Sequence, residues 1–265
     1  MRRYFNIPGM RRSFDGPPVF LLRAHKTAGQ SFNLSLRRAF REAAICPNSA
    51  SWQYAGAEPA DFARYSYFQG HIGLPTADRI APGARLVTML RDPVSRLTSS
   101  YFYWRSQSQR VKNWSAHEIA RRLHGMTLLE YVTSEDPEIR HSSWNVQARL
   151  LAGADYGATP EQRTMLFGCE WDLPELIERA LAGMERFSVI GTVDRFDDSL
   201  ALTYHTLGLP GEPEVVYDNR TPSKYVDQEV TDEILEHARR LTEADRVLFE
   251  AASQRLAELA GPGSG

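Results

Sequence analysis

The chain has 265 residues, with 33 acidic and 31 basic side chains, a formal net charge of −2 and 42% hydrophobic residues. That composition excludes a disordered, collagen-like or disulfide-stapled mini-protein and leaves room for one large domain or two small ones. Two cysteines, Cys46 and Cys169, are too few and too far apart for a disulfide framework or a zinc ribbon, which fits a reducing compartment. No apolar run reaches the roughly 20 residues of a membrane span. The start, MRRYFNIPGMRRSFDGPP, has no apolar centre for a signal peptide. Near-neutral charge argues against bulk nucleic-acid binding. The expectation is a cytoplasmic protein with no membrane span and no nucleic-acid partner.

Residues 1–18 read as a leader closed by Pro17-Pro18, and 19–260 as a single α/β domain with a helical insertion. Val19 to Leu22 form a continuous apolar run, the pattern of a strand buried on both faces. The loop RAHKTAGQS follows. Phe32, Leu36 and Phe40 then recur every fourth residue, which predicts an amphipathic helix from Ser31 to about Ala44. The aromatic, strand-like run before Gly70 leads to His71. Arg85 to Leu90 is apolar and β-branched, a second core strand. Asp92-Pro93 predicts a helix start, because aspartate accepts from free N–H groups and proline at the first helical position loses no bond. Residues 105–160 carry helical patches and weak strand signals, and form the insertion. Leu173 to Phe187 reads as helix, Ser188 to Val193 as strand and Ser199 to Leu207 as helix. The tail from Thr231 to Leu259 reads as helical, with a capping-box pattern at Thr242 and Asp245 and a stop at Gly261-Pro262-Gly263. Strands alternating with helices predict a mainly parallel sheet with ligands at the strands' C-terminal ends.

A loop between a buried strand and a helix offers free N–H groups and the positive end of the helix dipole, which suit a phosphate or sulfate. RAHKTAGQS adds Lys26 as a cation, Thr27 and Ser31 as hydroxyl donors, and Gly29 where a close approach is needed. Against the nucleotide-kinase pattern GxxxxGK[ST], Ala24 replaces the first glycine and Gln30 stands in the lysine's place. A kinase holds Mg²⁺ to offset triphosphate charge. A sulfuryl group carries less charge, and one lysine near the bridging oxygen serves it without a metal. The second loop places Arg91 at a strand end and Arg96, Ser99 and Ser100 on the next helix, a fork and hydroxyls for a second phosphate. Each motif alone also describes a solvated loop or a capped helix start.

In combination the motifs resemble those of the sulfotransferases. HKTAGQS resembles their PKTAGTS-like 5′-phosphosulfate loop, and RDPVSRLTSSYFYW resembles their 3′-phosphate motif, an arginine followed eight residues later by a serine. WNVQARLLAG, FSVIGTVDRFDDSLAL, DNRTPSK and EADRVLFEAA are similar to later segments of the heparan and dermatan 2-O-sulfotransferases and their bacterial relatives, so the resemblance spans about Val19 to Ala252. It implies a P-loop-like parallel sheet flanked by helices. It also implies 3′-phosphoadenosine 5′-phosphosulfate (PAPS) as donor, PAP as product, no metal, and a small-molecule or carbohydrate acceptor. By the same resemblance Lys26 contacts the phosphosulfate, with Thr27, Ala28, Gly29, Gln30 and Ser31 forming the loop. Arg91 and Ser99 hold the 3′-phosphate, and Arg220 and Lys224 lie on a loop closing over the nucleotide. His25 and Gln30 depart from the pattern, which usually has proline and a small hydroxyl residue there.

An attacking hydroxyl must lose its proton, so a base with a pKa near the working pH is wanted beside Lys26. His71, after a glycine between the two donor motifs, is the candidate, and the resemblance implies a histidine base there; His25 is the reserve. A packed strand-end imidazole is the competing description of His71. The dense aromatic residues around Tyr54 to Phe68 and Tyr101 to Trp104 read mainly as packing. A P-loop nucleotide kinase and a catalytically silent nucleotide-binding protein remain as competing functions.

Overall fold

The structure, a computed structural model, describes residues 14–110, 118–157, 159, 166–167, 170–216 and 228–260. In chain order, β1 (Val19–Leu22) leads into α1 (Gly29–Leu36), β2 (Tyr67–Gly70) into α2 (Leu74–Ile80), and β3 (Arg85–Leu90) into α3 (Pro93–Arg110). The inserted helices are α4 (Glu118–Arg122), α5 (Leu128–Thr133), α6 (Pro137–Ser143) and α7 (Val146–Ala152). After them come the short strands β4 (Asp155–Tyr156) and β5 (Leu166–Phe167), then α8 (Leu173–Met184), β6 (Phe187–Thr192), α9 (Phe196–Leu207), α10 (Asp232–Leu241) and α11 (Glu243–Ala260).

The protein is an α/β fold. The main sheet runs β2-β1-β3-β6, and every pairing in it is parallel. All four residues of β1 are buried, as their apolar run requires, and burying each stabilises the fold by about 1.5–3 kcal/mol. Phe20 and Leu22 face α2, α7, α8 and α11, while Val19 and Leu21 face α1 and α9. Helices therefore cover both faces. A third apolar cluster joins α3, α4, α5, α6 and α10 beside the sheet. Among the described residues no helix is long and apolar enough to cross a membrane.

Two helix boundaries differ from the sequence expectation. The predicted 31–44 helix instead begins at Gly29 and ends at Leu36, followed by single 3₁₀ turns at Arg37–Ala39 and Glu42–Ala44. The chain leaves the helix because it must run beside the edge strand. Phe40 stacks on Tyr67 at 4.7 Å, Ser66 donates to the Ala44 carbonyl and Cys46 to the Tyr67 carbonyl. The tail is two helices broken at Thr242, and the capping box does not close. Thr242 Oγ1 donates back to the Ala238 carbonyl, while the Asp245 carboxylate is buried against the Ala148 amide and Arg96. The expected stop at 261–263 and Cys169 lie outside the described residues.

Candidate functional site at the sheet switch point

Strand order decides where a ligand fits. From β1 the chain passes to β2 on one side, then crosses over to β3 on the other, so the order reverses between β1 and β3. In open α/β sheets the crevice outside such a reversal, at the carboxyl ends of the strands, is the binding place. The loops that flank it here are 23–28 and 91–92.

The first loop is strained. Lys26 and Ala28 adopt left-handed backbone (φ 69° and 55°), a region costly for residues with a Cβ. Ala28 is the N-cap of α1, and the first helical bond runs from the Phe32 amide to the Ala28 carbonyl. The amides of Gly29, Gln30 and Ser31 thus occupy the first turn, whose N–H groups have no partner within the helix. Arg91 reaches across from β3, and its Nη1 donates to the Lys26 carbonyl at 3.3 Å. Both cations are partly desolvated. Burial first, and the neighbouring Arg91 second, bring the Lys26 ammonium down from 10.5 to about 8. Burial also lowers Arg91, against the opposing pull of Asp92. The Lys26 Nζ rests 4.2 Å from the centre of the Tyr103 ring on α3. Two cations held half-buried side by side concentrate positive potential at this end of the sheet.

Arg91 is itself bracketed. Gln147 on α7, fully buried, accepts from the Arg91 amide at 2.8 Å and donates to the Arg91 carbonyl at 3.0 Å. Asp92 caps α3 as expected, its Oδ1 accepting from Ser95.

Beside Lys26 lie two imidazoles. His25 and His71 stack with ring centroids 3.6 Å apart and planes 9° from parallel. Tyr156 sits edge-on to both at 5.5 and 5.6 Å. His71 Nδ1 is 2.9 Å from the Arg23 carbonyl, which also accepts from the Tyr156 hydroxyl at 3.1 Å. A carbonyl oxygen only accepts, so Nδ1 carries the hydrogen and Nε2 is the basic nitrogen. Gly70 sets His71 in place: its φ is 153°, and a Cβ there would lie 2.1 Å from the Ser49 carbonyl oxygen. The turn after His71 is fixed by Asp155, whose carboxylate accepts from the Gly73 and Thr76 amides and from the Ser51 and Thr76 hydroxyls.

The structure brings together Lys26, the loop through Ser31, Arg91 and both histidines. Other expected donors are engaged elsewhere. Thr27 is fully buried with its hydroxyl on the Ala24 carbonyl, so only its amide remains for a ligand. Gln30 Oε1 accepts from Arg23 Nη1 at 2.6 Å, which leaves its amide nitrogen rather than a hydroxyl substitute. The close neighbour of Gly29 is the Arg23 side chain, whose carbons would lie 3.0–3.2 Å from an added Cβ. Arg96 is fully buried, donates to the Ser143 carbonyl and faces Asp245, and Ser100 is buried as well, so neither serves a phosphate. Ser99 lies partly exposed on α3, six residues beyond its start. Arg220 and Lys224 lie outside the described residues. The aromatic side chains are mostly core, as expected; half-buried Tyr103 lies under Lys26, and Trp104 approaches His25 at 6.4 Å.

Sequence reasoning passed over Arg23, Gln147, Asp155, Tyr156 and the role of Tyr103. A polar Gln147 within the apolar stretch WNVQARLLAG was a usable signal, since a buried amide needs partners. Asp155 and Tyr156 gave none, because their partners lie about 80 to 130 residues away. No protein-family model matches this chain, and no curated protein is significantly similar to it.

Proposed function

We propose that this protein transfers a sulfuryl group from PAPS to an acceptor hydroxyl, with the β1 loop and α1 as its P-loop-like element. The observation that carries the reading is the contact between Arg91 and the Lys26 backbone across the switch point, which sets two unpaired cations at one crevice. Among the described residues neither cation joins an ion pair. A donor with two separated anionic groups answers both. The first-turn amides of α1 and the Lys26 ammonium suit the sulfated end, and the Arg91 fork with the Ser99 hydroxyl suits the terminal phosphate.

When bound, PAPS supplies the sulfuryl group. The chain's own residues then divide the work. His71 Nε2 takes the proton of the acceptor hydroxyl as that oxygen bonds to sulfur and the sulfur–oxygen bond to the nucleotide breaks. Lys26 stabilises the negative charge left on the departing phosphate, a charge that grows in the transition state, so its effect falls on kcat.

Isothermal titration with PAP in EDTA tests the site, and sulfate transfer from PAPS to a panel of sugars and phenols tests the activity. Metal-free PAP binding is expected, with Arg91→Ala weakening it at least about tenfold and Lys26→Ala chiefly lowering turnover. Mg²⁺-dependent ATP binding without PAP binding would instead support a kinase and overturn the donor assignment. Full turnover in Lys26→Ala would overturn the assigned role.

A further inference from the structure

We infer that His25 and His71 act as one proton-holding unit, a stacked pair that holds no more than one proton across neutral pH, with His25 a positioning residue for the base at His71. The rings are 3.6 Å apart and nearly parallel. Two imidazolium ions at that separation repel strongly, since the Coulomb energy rises as the inverse of distance and stacked rings exclude intervening water. One imidazolium facing a neutral ring is the opposite case, a cation over a π face, and is attractive. One proton is therefore accommodated by the pair and the second is refused until far lower pH.

The charged and titratable groups around the pair are these. Lys26 follows His25 in the chain, and the Arg23 guanidinium lies on the same loop, turned toward Gln30. Tyr156 meets both rings edge-on and stays a neutral phenol, because burial raises its pKa. On α3, Trp104 approaches His25 at 6.4 Å, and Arg96 acts on Tyr156 through space. The Asp155 carboxylate is engaged by Ser51, Gly73 and Thr76. These neighbours thus carry both signs, and the refusal of a second proton rests on the ring contact itself.

The geometry also fixes direction. His71 Nδ1 already donates to the Arg23 carbonyl, so an incoming proton arrives at Nε2. On the sulfuryl-transfer reading, on which this catalytic role rests, the acceptor's proton moves to Nε2 as sulfur is bonded. The neutral His25 ring then faces the new imidazolium, and the proton passes to solvent on product release. The single-proton property itself needs no nucleotide.

The test is an NMR pH titration of the full chain carrying ¹³C at the histidine Cε1 positions, with no nucleotide present. His25 and His71 are expected to report the same two inflections, at least about one pH unit apart. His25→Phe keeps a ring in the stack and is expected to leave His71 with one inflection. Independent single inflections in the unmodified chain would overturn the pair, and so would a His71 curve that His25→Phe leaves unchanged. The unmodified chain decides the matter even where the variant folds poorly. Split titration without PAP binding supports the pair and refutes the transfer reading; PAP binding with unsplit titration does the reverse.

Discussion

Replacing Lys26 by methionine separates stability from activity, because the lysine is held in a place unfavourable to its charge. Its ammonium drops from 10.5 to about 8 through burial and the nearness of Arg91. At about 1.4 kcal/mol per tenfold change in acid strength, that corresponds to ~3 kcal/mol of strain at neutral pH. Solvent at the half-buried side chain trims this to about 2 kcal/mol. The Tyr103 ring face returns about 0.5–1 kcal/mol, which the variant loses. Methionine keeps the apolar stem and removes the charge, so Lys26→Met is expected to gain about 1–1.5 kcal/mol at pH 7 and a few degrees in Tm, while losing transfer activity. The pH dependence has a definite sign. Between about 8 and 10.5 the unfolded chain binds the proton that the native state has released, so native stability rises with pH there. The advantage of Lys26→Met should therefore be full below pH 8 and fade by pH 10.5. Urea denaturation of both proteins at pH 7, 8, 9 and 10 measures it. A less stable variant at pH 7, or a difference that stays flat with pH, refutes the desolvated lysine.

Gln147→Leu removes both bonds to the Arg91 backbone and is expected to cost about 2–3 kcal/mol in urea denaturation and to weaken PAP binding by calorimetry; unchanged PAP affinity would count against the bracket. Asp155→Ala frees the amides of Gly73 and Thr76, with an expected loss of about 3 kcal/mol and faster hydrogen exchange at residues 71–76; unaltered exchange there would show that the turn does not depend on it. Arg96→Met leaves Asp245 buried without its cation and should cost about 3–5 kcal/mol, most of it recovered by adding Asp245→Asn. Burial raises the Asp245 carboxyl, so the native state binds its proton more tightly than the unfolded chain does. Its contribution to stability therefore falls as pH rises from 3.8, and removing Arg96 should carry that fall to higher pH.

The sheet was legible because its strands are buried on both faces and advertise it as unbroken apolar runs: the expected Arg85 to Leu90 coincides with β3, and Val19 to Leu22 with β1. Asp92-Pro93 was equally plain, since capping is chemistry between near neighbours. The Phe32, Leu36, Phe40 spacing misled over its last residue for a tertiary reason. Phe40 is buried as the pattern implied, but on Tyr67 and from extended backbone, so a helical period was completed by a residue outside the helix. The two loops drew attention through their cations, and they meet where Arg91 donates to the Lys26 carbonyl. What the sequence could not show is which polar groups are already engaged. Arg23 with Gln30, Thr27 with Ala24 and Arg96 with Asp245 each remove a candidate donor through a contact visible only in three dimensions.

Local rules are broken mainly where the switch point lies. Among the described residues the left-handed backbone positions without glycine are Lys26, Ala28 and Asn145. Two belong to the β1 loop. The third is the N-cap of α7, two residues before the Gln147 that holds Arg91, and its Oδ1 accepts from the Ala244 and Asp245 amides. The C-terminal helix pair is thereby tied through Asn145 and Gln147 to the second loop. Strain of this kind persists only where surrounding structure over-determines it. A desolvated lysine and two stacked imidazoles add to the same place, whereas the strands and capped helices elsewhere follow ordinary propensity. A surface loop selected only for folding would have glycine at 26 and 28, where the backbone is left-handed. Keeping Cβ atoms, charge and stacked rings there at a cost to stability is what the proposed anion site would require, because a loop free to relax would turn its cations outward to water before any ligand arrived.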